Sequence, residues 1–72
     1  MNKKEKMEII ADILEVDIDE LKEDMFLDEM EAWDSVAVLS VIAVMNDKFN
    51  RYPMAEEIKS YKTVADLLKS ME

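Results

Sequence analysis

The sequence predicts an all-α fold: a small four-helix bundle of three main helices plus one short helix, with a long first connector. Three observations predict it. Apolar residues recur at helical spacing near both ends of the chain. The most apolar stretch, residues 36–45, sorts into two faces when wound as a helix. Residues able to cap a helix (Asn2, Asp34 and Thr63) stand just before each of the three main segments.

The first helix is expected over roughly residues 3–15. Asn2 with Glu5 three positions later resembles an N-cap arrangement. Met7, Ile10, Ala11 and Leu14 then follow at i, i+3, i+4 and i+7, widened by Ile9 and Ile13. From Val16 to Trp33 the periodicity breaks down. So long a structureless segment is unusual in a compact domain unless it has a function. Val16, Ile18, Leu21, Phe26, Leu27, Met30 and Trp33 are expected to pin this connector onto the core, with a short helical turn over residues 17–24.

Residues 36–45 hold nine apolar residues in ten, many β-branched, and taken alone could form a buried strand. Helix is favoured because Val38, Val41, Ile42, Met45 and Phe49 fall on one side while Val36, Ser40, Ala43 and Asp47 fall on the other. A strand would put Ser40 and Asp47 on opposite faces. Asn50-Arg51-Tyr52-Pro53 is expected to end this helix, since proline disfavours helix in the residue before it. A short helix using Met54, Ile58 and Tyr61 is expected next. Thr63 and Asp66 then resemble a capping box opening a last helix, with Val64, Leu67, Leu68 and Met71 on one face.

The 72 residues are expected to form one domain, which at this size buries only about 60% of the surface its unfolded chain exposes. Half the residues are apolar, and seven are methionines, which suit an irregular, adaptable core. No cysteine, histidine or glycine is present. A Ser–His–Asp arrangement, a cysteine nucleophile and a glycine-rich phosphate loop are therefore excluded, and an enzyme is not expected. The segment 17–28 begins Asp-x-Asp like a calcium loop, but Leu21, Lys22 and Asp28 stand where an oxygen ligand, glycine and glutamate are needed.

The net charge is −9, which repels nucleic acid and anionic lipid and favours basic protein partners. Nine carboxylates against Lys22 put −8 of it between Asp17 and Asp34. Such a segment is either a solvated loop or an electrostatic landing surface placed before Ser35. No run is long or apolar enough to span a membrane, and the charged N-terminus is not that of a signal peptide. A monomer in the cytoplasm, with no membrane insertion, is expected; the lack of cysteine is compatible with a reducing compartment.

Ser35 follows Asp34 at the mouth of the apolar helix. Serine is ordinary near a helix start. The same position also suits a modified serine, because unpaired N–H groups and partial positive charge there stabilise an attached phosphate.

"WDSV" opening an apolar helix, about 35 residues into a short acidic chain with a long first connector, resembles the acyl and peptidyl carrier protein family. Trp33, the spacing to Phe49 and "YKTVADLL" strengthen the resemblance, which covers the whole chain. It implies that Ser35, beside the motif residue Asp34, receives a 4′-phosphopantetheine arm from coenzyme A, installed by a separate magnesium-dependent phosphopantetheinyl transferase. Cargo would ride on the arm as a thioester. Fatty acid, polyketide or related biosynthesis with acyl cargo is expected, with an aminoacyl or peptidyl carrier as the alternative, and an unmodified helical interaction module as the alternative of another class. The partners implied are the transferase and acyl- or aminoacyl-loading and condensing enzymes.

The chain departs from the family pattern in places. Val36 stands where leucine is commoner, and "EAWDS" lacks the glycine often found before the Asp-Ser pair. The exposed face of the following helix offers Asp47 as its only acid. Partners are expected to be attracted by Asp28, Glu29 and Glu31 and docked on Val36, Ala37, Ser40 and Ala43, with Asp47 at the edge. Trp33, Phe26 and Met30 are expected as core anchors.

Overall fold

The structure, a computed structural model, describes residues 1–72. Four helices follow one another with no strand: α1 (Lys3–Leu14), α2 (Ser35–Lys48), α3 (Ala55–Lys59) and α4 (Val64–Ser70). The fold is thus the small helical bundle expected of three main helices and a short one. α1 packs on both α2 and α4, and α3 packs on α2. None of these helices is long and apolar enough to cross a membrane.

α1 opens as a capping box. Asn2 Oδ1 accepts the Glu5 N–H at 2.8 Å, and the Glu5 carboxylate accepts the Asn2 N–H at 3.2 Å. It closes with Glu15 in the left-handed region, φ 58°, while Val16 N–H reaches Ala11 O (3.1 Å) and Glu15 N–H reaches Asp12 O (3.3 Å). That bonding pattern is a Schellman ending, normally built on glycine, which this chain lacks.

α2 stops earlier than the proline rule implies. Asn50 turns left-handed at φ 54°, and Phe49 and Arg51 both donate their N–H to Met45 O, at 3.2 and 2.9 Å. Asn46 Nδ2 then holds Arg51 O at 2.9 Å. An asparagine, which tolerates this conformation, ends α2; Pro53 lies beyond the stop.

α3 is a single short turn without a side-chain cap. Ile58 is fully buried and Tyr61 packs against the core, as expected. Met54 does not: it sits at the N-cap position, outside the helical repeat, and is 73% exposed. α4 begins with the expected capping box, Asp66 accepting the N–H groups of Lys62 (2.9 Å) and Thr63 (3.2 Å). These two backbone donors, Lys62 first, hold the Asp66 carboxyl below its ordinary value.

The core takes Ile10 and Leu14 from α1, Val38, Val41 and Met45 from α2, Ile58 from α3, and Val64, Leu67 and Leu68 from α4, with Met71 just beyond. Each such side chain contributes about 1.5–3 kcal/mol of burial. Ile42 and Phe49 pack at its edge, so the α2 face read from the helical wheel is the core face.

The connector is ordered by long-range backbone bonds. Leu27 N–H donates to Lys62 O (2.8 Å), Val64 N–H to Met25 O (3.0 Å) and Ala65 N–H to Glu23 O (2.9 Å). Phe26 and Thr63 consequently form an isolated antiparallel bridge. The expected helical turn over residues 17–24 is instead a set of tight turns, with Glu20 N–H on Asp17 O and Leu21 N–H on Ile18 O. A 3-10 turn at Leu27–Glu29, which no periodicity signals, follows. Leu21 and Leu27 are buried, and Val16, Met30 and Trp33 pack against the core. Ile18 and Phe26 do not anchor it. Phe26 is 52% exposed, because the bridge fixes its backbone at the surface.

Candidate functional site at the start of helix α2

Asp34 and Ser35 sit where the connector enters α2. Asp34 is the N-cap: its Oδ1 accepts the Ala37 N–H at 2.9 Å and its backbone carbonyl accepts the Val38 N–H at 3.0 Å. Ser35 is the first helical residue and is exposed. The N–H groups of Ser35 and Val36 have no acceptor within the chain. Two orphan donors and the positive end of a 14-residue helix dipole therefore lie beside the Ser35 hydroxyl.

Two open clefts meet next to this point. One runs under Glu31 and Asp34 along Leu14, Val16 and Met30; the other follows α2 past Val36, Ala37 and Ser40 toward Asp12 and Ile13 of α1. Glu15, Ala32 and Asp34 border both. The site is thus built by the end of α1, the end of the connector and the first turns of α2.

The surface expected for partners is partly rearranged. Val36, at 69% exposure, and Ala43 and Asp47 are exposed, while Ser40 is half-buried with its hydroxyl donating to Val36 O at 3.0 Å. Ala37 is only 3% exposed and offers no docking surface. It lies one turn before Val41 on the stripe facing the bundle. Leu39, by contrast, is 62% exposed and lies in line with Val36 and Ala43, at i+3 and i+7 from Val36.

The connector acids also divide. Asp28, Glu29 and Glu31 are all exposed, yet Glu31 borders the cleft beside Asp34, whereas Asp28 borders another cleft with Phe26 and residues 59–62. Glu15, which the sequence reading left out, joins Glu31 and Asp34 along one cleft, and with Asp12, also left out, joins Asp34 along the other. Their only signal in the sequence is the end of the first helix; their place in the cleft with Asp34 comes from the packing of α1 on α2.

The small helical fold presents an exposed serine directly after the capping residue of its second helix. The family model described as the phosphopantetheine attachment site matches residues 7–70, and the chain belongs to that family, the acyl and peptidyl carrier kind. Domains of this family bind 4′-phosphopantetheine covalently. In general they meet phosphopantetheinyl transferases and acyl-handling enzymes. Neither the comparison with curated proteins nor that with solved structures finds a match. The start of α2 fits the group: a free hydroxyl for the bond, and two unpartnered N–H groups for a phosphodiester.

Proposed function

We propose that the chain, acting as one carrier domain over residues 1–72, is an acyl carrier protein with Ser35 as the residue that takes the arm. The observation that carries this is the exposed Ser35 hydroxyl in the first turn of α2, next to the free N–H groups of Ser35 and Val36, within a stretch matched by the attachment-site family. When bound, the group supplies a thiol on a flexible tether, which holds cargo as a thioester and raises its effective concentration at successive active sites. The chain's own part is to present and hold that tether. In loading, the Ser35 Oγ–phosphorus bond forms and the pyrophosphate bond of coenzyme A breaks. Adenosine 3′,5′-bisphosphate leaves, and the hydroxyl proton passes to the separate magnesium-dependent transferase. The protein is a substrate of enzymes and not itself an enzyme.

Acyl cargo of fatty acid, polyketide or related biosynthesis is the first reading, because a strongly acidic carrier, −9 over 72 residues, resembles acyl carriers. An aminoacyl or peptidyl carrier is the second, favoured by α2 itself, whose exposed face bears Asp47 as its only acid. Partners would be steered by the connector acids and docked on Val36, Leu39 and Ala43, in the cytoplasm and with the carrier as a monomer.

Intact mass after incubation with coenzyme A, magnesium and a broad-specificity transferase tests the reading. The expected result is a gain of one arm in the wild type and none in Ser35→Ala. No gain in a folded wild type would overturn the carrier reading and leave an unmodified helical interaction module.

A further inference from the structure

We propose that the cleft between Phe26 and residues 59–62 is a second docking surface, which anchors a short acidic segment of a partner protein and leaves Ser35 open. The inference stands on this cleft alone and holds whether or not the serine takes an arm.

The first observation is a phenylalanine fixed at the surface. The bonds from Leu27 N–H to Lys62 O (2.8 Å) and from Val64 N–H to Met25 O (3.0 Å) flank Phe26 on both sides. They place it opposite Thr63 as the pair that exchanges no bonds of its own. The ring is 52% exposed and takes no part in the core. Its N–H, which this register directs away from Thr63, has no acceptor within the chain. An apolar ring displayed on a backbone already held in place loses little freedom when a partner covers it.

The second observation is charge. Residues 1–47 hold four bases against 14 acids, whereas residues 48–72 hold five against four. Two of those five, Lys59 and Lys62, line the cleft together with Phe26, Asp28, Ser60 and Tyr61. Neither lysine makes an ion pair, with Asp28 or with any other carboxylate. The acids nearest in sequence are engaged elsewhere: Glu57 accepts the Tyr61 hydroxyl at 3.1 Å, and Asp66 accepts the N–H groups of Lys62 and Thr63. A fixed apolar ring beside two free ammonium groups matches an apolar side chain flanked by carboxylates. The acidic remainder of the chain repels a long polyanion such as nucleic acid, or an anionic bilayer, whereas a short segment meets only the cleft. The cleft borders neither Ser35 nor Asp34, so a partner held there leaves the start of α2 accessible to another.

The test titrates the intact protein at low salt with the N-acetylated peptide amide Glu-Asp-Phe-Asp-Glu and follows backbone amide shifts. Saturable shifts at Phe26, Asp28, Tyr61 and Lys62 are expected, with Ser35 and Val36 unmoved and a Kd of about 0.1–5 mM. Lys59→Gln with Lys62→Gln should weaken binding about four- to twenty-fold, a factor of about two to five for each exposed pair. Phe26→Ser should weaken it about fivefold. All three side chains are exposed, so the variants leave the core untouched, and urea melts confirm that they fold. No saturable shift would overturn the proposal, as would equal shifts with inorganic phosphate or with the peptide carrying lysines in place of its acids. Shifts at the same amides that grow with protein concentration in the absence of peptide would make a second copy the occupant and overturn it too.

Discussion

Asp34 Oδ1 accepts the N–H of Ala37 at 2.9 Å, which places the cap of α2 on the residue before the serine and leaves the serine itself free of the capping task. The capping contribution to stability thereby sits on Asp34, and the proposed modification on its neighbour. Asp34→Ala is expected to cost about 1 kcal/mol, while Asp34→Asn, which keeps an acceptor, costs only a few tenths. Ser35→Ala stays within about 0.5 kcal/mol of the wild type, because its side chain caps nothing. Urea denaturation of the three variants checks this ordering; a Ser35→Ala loss equal to that of Asp34→Ala would refute it.

Glu15 occupies a left-handed position that costs a residue with a Cβ about 1–2 kcal/mol. Glu15→Gly removes that strain at some cost in unfolded-chain entropy, for an expected net gain of about 0.5–1 kcal/mol. For a domain of this size the gain raises Tm by about 2–8 °C. Glu15→Ala should bring no such gain. Thermal melts of the two variants distinguish them.

The Asp66 carboxyl titrates below its ordinary value because backbone N–H groups of Lys62 and Thr63 hold its charged form. A depressed folded-state value means that the carboxylate's contribution to stability is complete above the ordinary carboxylate value of the unfolded chain and is lost as pH falls through the folded one. Between pH 6 and pH 2 the wild type should lose more stability than Asp66→Asn, with the difference appearing below about pH 4. Parallel pH curves for the two proteins would contradict this origin of the shift.

Val36 and Val41 stand on opposite sides of α2, one largely exposed and one fully buried. Val36→Asp should change stability by no more than about 0.5 kcal/mol yet slow loading by the transferase, whereas Val41→Asp should unfold the domain. Exchanging Asp28, Glu29 and Glu31 for lysine should slow association several-fold at low salt and much less at high salt. Loading rates at two ionic strengths, beside urea melts, measure both effects.

The helices were legible because their signals are local. The Asn2–Glu5 and Thr63–Asp66 boxes and the Asp34 cap each lie within three residues of the helix they open. The core face of α2 followed from periodicity alone. What escaped were features set across the chain or by backbone turns. Phe26 looks like an anchor until its bridge to Thr63 fixes it outside. Met54 looks helical until the chain leaves the helical repeat one residue before α3. At the candidate site, Ser35 and Asp34 stood out by type and order, whereas the burial of Ala37 and the exposure of Leu39 needed the rotation of α2 in the bundle. Asp12 and Glu15 needed the packing of α1.

The three backbone bonds that join residues 23–27 to residues 62–65 have a consequence for the order in which the protein matures. The serine and its helix lie within the first two-thirds of the chain, but the strap leading to them is tied by the last quarter. A nascent chain that has not reached Lys62 displays the serine on an approach without its fastenings. Closing so long a loop costs entropy that only the assembled core repays. Ordering of the strap that leads to α2 is thereby coupled to formation of the start of α4, which holds its backbone.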